Sequence, residues 1–201
     1  MPAPRPLSEI LPKEMTELRA RPLFTLLLAV APPIAVGKTP GVDRRVGVIT
    51  GGRFEGERLR GELFPGGGSD WQSIRPGDGA WLINVRIVLK TDDGHIIGMP
   101  YTGIRQGPKE VLDRIARGEV VKATDYYLRI SATFETSSEK YGWLNNVISI
   151  GVGHRLPEGP IYQMFEILWR HWADARHCER NEAIQFNSWD VGLLRRCRSS
   201  Q

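Results

Sequence analysis

Apolar and polar side chains alternate along much of this chain. Between residues 125 and 136, Tyr126, Leu128, Ile130, Ala132 and Phe134 interleave with Tyr127, Arg129, Ser131, Thr133 and Glu135, the period of two that belongs to a half-buried strand. Residues 81–89 repeat it, with Trp81, Ile83, Val85, Ile87 and Leu89 against Leu82, Asn84, Arg86 and Val88. Thr91-Asp92-Asp93-Gly94 then turns the chain into a return strand on which Tyr101 keeps step with Ile97 and Met99. LFTLLLAV from Leu23, residues 45–50, LNNVISIGVG and IYQMFEILWR read as further strands, with Pro32-Pro33, Pro40-Gly41, Pro76-Gly77 and the segment 157–160 as turns. Gly52, Gly56 and Gly61 interrupt the pattern of GGRFEGERLRGELF and predict bends or close backbone approaches.

Only PKEVLDRIARG carries a convincing helical period. Pro108 suits an early position, Val111, Leu112 and Ile115 form the stripe, and Gly118 is the stop. A second short helix is expected around residues 7–19, within a proline-rich arm of residues 1–22. About nine strands separated by glycine and proline turns predict a mainly β fold, a small antiparallel β-barrel or sandwich spanning residues 23–172. After Trp172 the apolar period is lost. RHCERNEAIQ resembles the translation of a repetitive intergenic element, so residues 173–201 read as a flexible C-terminal extension with no part in chemistry.

Composition adds exclusions. A chain of 201 residues, 41% hydrophobic and 25% charged, suits one folded domain. The net charge of +4 comes largely from arginines near the two ends, and no basic run interleaved with aromatics points to nucleic acid. Cys178 and Cys197 make no disulfide framework, and His95, His154, His171 and His177 lack metal-ligand spacing. No organic cofactor is implied either, because neither a Walker loop nor a dinucleotide fingerprint is present. The N-terminus lacks the apolar core of a leader, and the longest apolar run, residues 23–35, is too short for a membrane span. A cytoplasmic protein without membrane contact is expected. Edge strands and the apolar face of residues 81–89 would suit a homodimer.

The polar face of residues 125–136 could meet plain solvent or line a polar cavity, and the second arrangement makes a site. Asp70, which follows a glycine run and precedes Trp71, and Glu135 are the candidate acids or bases. Arg86 and Arg129 sit mid-strand, where they would either pair with those carboxylates as a structural network or grip an anionic ligand. Tyr101 and Tyr127 are candidate donors to developing charge, and Trp71 and Trp143 candidate walls for a flat ligand. Asn145 shares the parity of Trp143, and His154-Arg155 ends a strand at a possible barrel mouth.

Four stretches, ITGGRFEGERLRGELFPGGGSDW, VRIVLKTDDG, YYLRISATFET and YGWLNNVISIGVGHR, occur in the order found in one family. Over residues 23–168 the chain resembles domain of unknown function 3237, also called uncharacterised protein family 0311. The resemblance implies a calycin- or lipocalin-like antiparallel barrel with a central cavity and no settled activity. Asp70, Trp71, Arg86, Arg129, Phe134, Glu135, Trp143, Asn145 and Arg155 match its motifs. Together these readings give a small-molecule-binding barrel. One form is a cofactor-independent enzyme doing proton-transfer chemistry, as an isomerase, cyclase, lyase or lactone hydrolase, on an anionic, aromatic or terpenoid-like substrate. The alternatives are a non-catalytic carrier or sensor of a small hydrophobic acid, and a structural barrel with a salt-bridged interior.

Overall fold

A strand with one apolar face must bury it, and a sheet that curls and closes does so without leaving an unpaired edge. The structure, a computed structural model, describes residues 4–169. Ten strands follow a short N-terminal helix, α1 (Leu7–Ile10), and a 3₁₀ turn (Lys13–Thr16). They are β1 (Arg19–Val30), β2 (Ile34–Lys38), β3 (Asp43–Glu55), β4 (Arg60–Leu63), β5 (Ser69–Ile74), β6 (Trp81–Thr91), β7 (Ile96–Gln106), β8 (Tyr127–Ala132), β9 (Ser149–Arg155) and β10 (Pro160–Leu168). Helix α2 (Lys109–Ala116) lies between β7 and β8, and a second 3₁₀ turn (Gly142–Asn146) between β8 and β9.

Every pairing is antiparallel, in the order β1-β10-β9-β8-β7-β6-β4-β3, and β3 pairs back onto β1. The result is a closed eight-strand barrel. One position in the ring is shared: β4 lies between residues 53–55 of β3 and 89–91 of β6, whereas β5 lies between residues 43–48 of β3 and the start of β6. β2 continues from the end of β1 and pairs with the start of β3. The glycines do what their spacing predicts. At Gly61 a Cβ would run into the Lys90 carbonyl, and at Gly56 into that of Leu23, so bare backbone is what lets these strands cross closely.

Inward positions of the ring carry Phe24, Leu26, Phe54, Leu89, Ile97, Met99, Ile130 and Met164, all nearly or fully buried. Each side chain of this size contributes about 1.5–3 kcal/mol by leaving water. Toward one end the interior is filled: Phe24 packs against Phe54 at 5.5 Å and Phe134 at 6.1 Å between ring centroids. Beyond them the buried carboxylate of Glu166 accepts hydrogen bonds from Arg21 Nε at 2.8 Å and from Arg58, whose guanidinium also lies 3.9 Å over the Trp143 ring. The opposite end is hollow.

Several expectations need correction. The sheet begins at Arg19, inside the predicted arm, and the arm forms α1 and a 3₁₀ turn instead of one helix over 7–19. The strand expected over residues 45–50 runs longer, from Asp43 to Glu55, before the chain reverses into β4. Trp143 and Asn145 lie on the 3₁₀ turn, which removes the strand parity argument that paired them. The apolar face of residues 81–89 is turned into the core at Ile83, Val85, Ile87 and Leu89, so it offers no surface to a second copy. The proposed extension, residues 173–201, lies outside the described residues. No helix among the described residues is long and apolar enough to cross a membrane.

Candidate active site

The hollow end is built from the first halves of β3 and β6, the last parts of β1, β7 and β9, the starts of β8 and β10, and β5. The run Gly66-Gly67-Gly68 brings the chain across the barrel wall, with Gly68 backbone against Ile49 and Ile87. β5 can then enter between β3 and β6, with Asp70 opposite Gly47 and Val85. Gly47 has no side chain to compete for the inward space, so the Asp70 carboxyl turns into the barrel.

There it borders a cavity of about 170 Å³. Asp70 Oδ2 accepts a hydrogen bond from Gln72 Nε2 at 2.5 Å, and Oδ1 accepts one from the Asn84 N–H at 3.3 Å. Burial nevertheless dominates, and it raises the Asp70 pKa from 3.8 to about 6 against those bonds and the nearby Arg105 charge. Arg105 projects from β7 with its guanidinium carbon 4.0 Å over the Trp81 ring, and Arg45 lies 5.1 Å from the same ring. Burial lowers the Arg105 pKa to about 10. Its Nε is buried without a hydrogen-bond acceptor among the described residues.

Tyr101 and Tyr162 stand edge to face, 6.0 Å apart between centroids, on the cavity wall. Burial pushes both phenols upward, so each remains a neutral O–H donor. Gly153 is what makes room for them: a Cβ there would stand 2.6 Å from the Tyr162 ring. At the rim the Tyr126 hydroxyl accepts the Arg155 N–H at 2.6 Å and lies 3.0 Å from His154 Nδ1. This joins the start of β8 to the end of β9. Arg155 borders the cavity and donates to the Leu156 carbonyl at 2.9 Å. Leu28, Val30, Ile49, Ile83 and Leu128 supply apolar wall, and Ile115 and Ala116 of α2 close part of the mouth.

Residues 107–126, which carry α2, leave the barrel between Gln106 and Tyr127, which face each other in the β7–β8 ladder. Their ion pairs are internal: Lys109–Asp113 at 2.6 Å, Arg114–Glu119 at 3.0 Å and Arg117–Glu119 at 2.7 Å. The segment rests on the barrel through Ile115 and Val121, with Val111 and Leu112 packed beside them, and is tied at the neck by Tyr126 to His154 and Arg155.

Of the residues picked out by sequence, Asp70, Tyr101 and Arg155 come together here. The others do not. The polar face of β8 is turned outward, because its apolar stripe fills the core; Tyr127 is 45% exposed, and Arg129 lies over it at 5.0 Å and donates to the Leu128 carbonyl. Arg86 is exposed on the outer face of β6, and Trp71, 51% exposed, is on that of β5. Glu135 is exposed and bridges Gly98 through backbone hydrogen bonds of 2.8 and 3.0 Å. Asn145 clasps both backbone groups of Thr136, and Trp143 lies under Arg58 at the filled end. The anticipated pairing of Asp70 and Glu135 with Arg86 and Arg129 is therefore absent among the described residues. Arg45, Gln72, Trp81, Arg105 and Tyr162 were not singled out by sequence. For Arg105 a signal existed, since extending the parity of Ile97, Met99 and Tyr101 by four residues reaches it.

Fold and site together define a small closed antiparallel barrel with a half-polar chamber at one end. Residues 18–167 match the family described as "Protein of unknown function (DUF3237)", and the chain belongs to that family. A UPF0311 protein of Clostridium acetobutylicum is 35% identical over 152 residues, covering 75% of this chain and 95% of that one. A solved protein of unknown function from Rhodopseudomonas palustris superimposes with a TM-score of 0.70 at 30% identity, covering 76% of this chain and 98% of its own. A β-barrel-like protein from Acinetobacter baumannii gives 0.66 at 36% identity, covering 76% and 97%. An enzyme from Penicillium herquei, 21% identical with a TM-score of 0.57 over 75% of this chain and 95% of its own, shares the fold.

Proposed function

We propose that the protein is a cofactor-independent enzyme that moves a proton on a small, largely apolar substrate bearing an anionic group, with isomerisation or ring closure as the reaction class. The observation that carries this reading is the Asp70 carboxyl on the cavity wall, held near neutrality by burial and oriented by Gln72 and the Asn84 N–H. A general acid or base works best when its pKa lies near the working pH. Tyr101 and Tyr162 are the donors that would stabilise an enolate or alkoxide formed when Asp70 takes a proton. Asp70 then returns that proton to a different atom, so no oxidant or reductant enters. The apolar walls exclude water from the intermediate. That a protein of the same fold is described as an enzyme is compatible with this reading.

The test is solvent-deuterium exchange into a panel of small ring-bearing acids with activated C–H bonds, followed by proton NMR. Exchange catalysed by the native protein and lost in Asp70→Asn supports the proposal. Ligands that bind tightly yet never exchange faster than in buffer would make the barrel a carrier.

A further inference from the structure

Arg105 is a half-buried charge on the chamber wall. Its guanidinium lies over Trp81, its Nε is buried without an acceptor, and no carboxylate among the described residues ion-pairs with it. Burying a cation in this way is costly unless an anion joins it. The neighbouring charged groups are otherwise engaged. Arg45 reaches Asp43 at 3.5 Å, and Arg155 donates to the Leu156 carbonyl at 2.9 Å. Asp70, the acid nearest in the chamber, is taken up by Gln72 and the Asn84 N–H and holds its own proton up to about pH 6. Among the described residues, then, no carboxylate is hydrogen-bonded to this cation, and only the Asp70 carboxylate lies near it.

We infer that Arg105 is the substrate's anion anchor, and that the group it takes is the carboxylate of a compound about one ring in size. This rests on the reading of the chamber as a substrate site and narrows it. A flat guanidinium stacked on an indole presents its N–H edge, the geometry that matches a planar carboxylate. Size sets the other limit. An apolar cavity of ~150 Å³ holds one benzene, so about 170 Å³ takes a ring with its acid group and excludes terpenoid or nucleotide bodies. Asp70 and the two phenols line the same chamber, with Tyr101 four residues before Arg105 on β7, so a ring held by its acid group lies beside the groups that would move its proton.

The experiment uses the full chain at pH 7 with benzoate, benzamide and phenyl phosphate, read by calorimetry and by ligand-observed NMR. Benzoate should saturate the native protein while benzamide, equal in size but uncharged, and phenyl phosphate, which is larger, should bind at least about tenfold more weakly. Arg105→Met should weaken benzoate at least about tenfold, and Arg129→Ala, on the outer face of β8, should leave it bound. Benzamide binding as well as benzoate overturns the inference without any variant, as does benzoate binding unchanged in a folded Arg105→Met protein. The two proposals fail separately: Asp70-dependent exchange of the panel acids that persists unchanged in Arg105→Met overturns the anchor alone, and Arg105-dependent benzoate binding without exchange overturns the proton transfer alone.

Discussion

The two ends of the barrel share most of their strands and follow opposite rules. At the filled end, large apolar side chains meet across the axis, and the one buried carboxylate, Glu166, has two arginines for partners. At the hollow end, glycines at 47 and 153 stand where side chains would fill the axis, and Asp70 and Arg105 are half-buried without an ion pair between them. One half stores stability that the other does not return in contacts. Such a division is expected when a chamber must stay open inside a small fold.

The sharpest way to break this contrast is truncation on either side of it. Phe54→Ala, at a fully buried position against Phe24, should cost about 3–5 kcal/mol in urea unfolding. Ile83→Ala on the chamber wall should cost less than half as much, and equal losses would mean that the hollow end is as tightly packed as the filled one. Asp70→Asn should act with the opposite sign. The native state keeps the Asp70 proton between pH 3.8 and about 6, where the unfolded chain has lost it. Stability from this group is therefore present at low pH and lost as pH rises through that window, by up to about 3 kcal/mol. Melting at pH 7.5 should rise in the variant, and melting at pH 4 should not; a rise of equal size at both would trace the effect to something other than the proton.

Glu166→Leu should cost about 2 kcal/mol, because Arg21 and Arg58 lose their shared acceptor. A neutral result would show that the closed end does not depend on its ion pairs. Smallest of all, Arg129→Ala should change unfolding by no more than about 0.5 kcal/mol and leave benzoate titration untouched, since its side chain lies on the outer surface.

Strands and turns were legible because period two is a direct image of a sheet with one buried face. The stripe Tyr126, Leu128, Ile130 is the core face of β8, as its composition implies. The chamber was harder to read, because polar residues lining it stand on the apolar side of the alternation. Gln72 follows Asp70 by two, Arg105 follows Tyr101 by four, and Tyr162 precedes Met164 by two, all at inward parity. Searching the polar face led instead to Arg86, Arg129 and Glu135, which meet solvent. Asp70 was found from its glycine run, a feature of backbone geometry and independent of parity. Nothing in the pattern distinguishes Trp143 on a turn from Trp143 on a strand, since five residues of 3₁₀ helix leave no period to detect.

The loop that carries α2 behaves as a detachable ceiling. Its ends are already held side by side by the pairing of Gln106 with Tyr127, and a Cβ at Gly107 would come 2.8 Å from that of Tyr126, so the neck stays shut whatever lies beyond it. With its ion pairs internal and Val111, Leu112, Ile115 and Val121 as its apolar rest on the barrel, the segment can change length between its neck residues without reregistering a strand. The height of the chamber is thus set by a segment whose length is independent of the barrel walls beneath it.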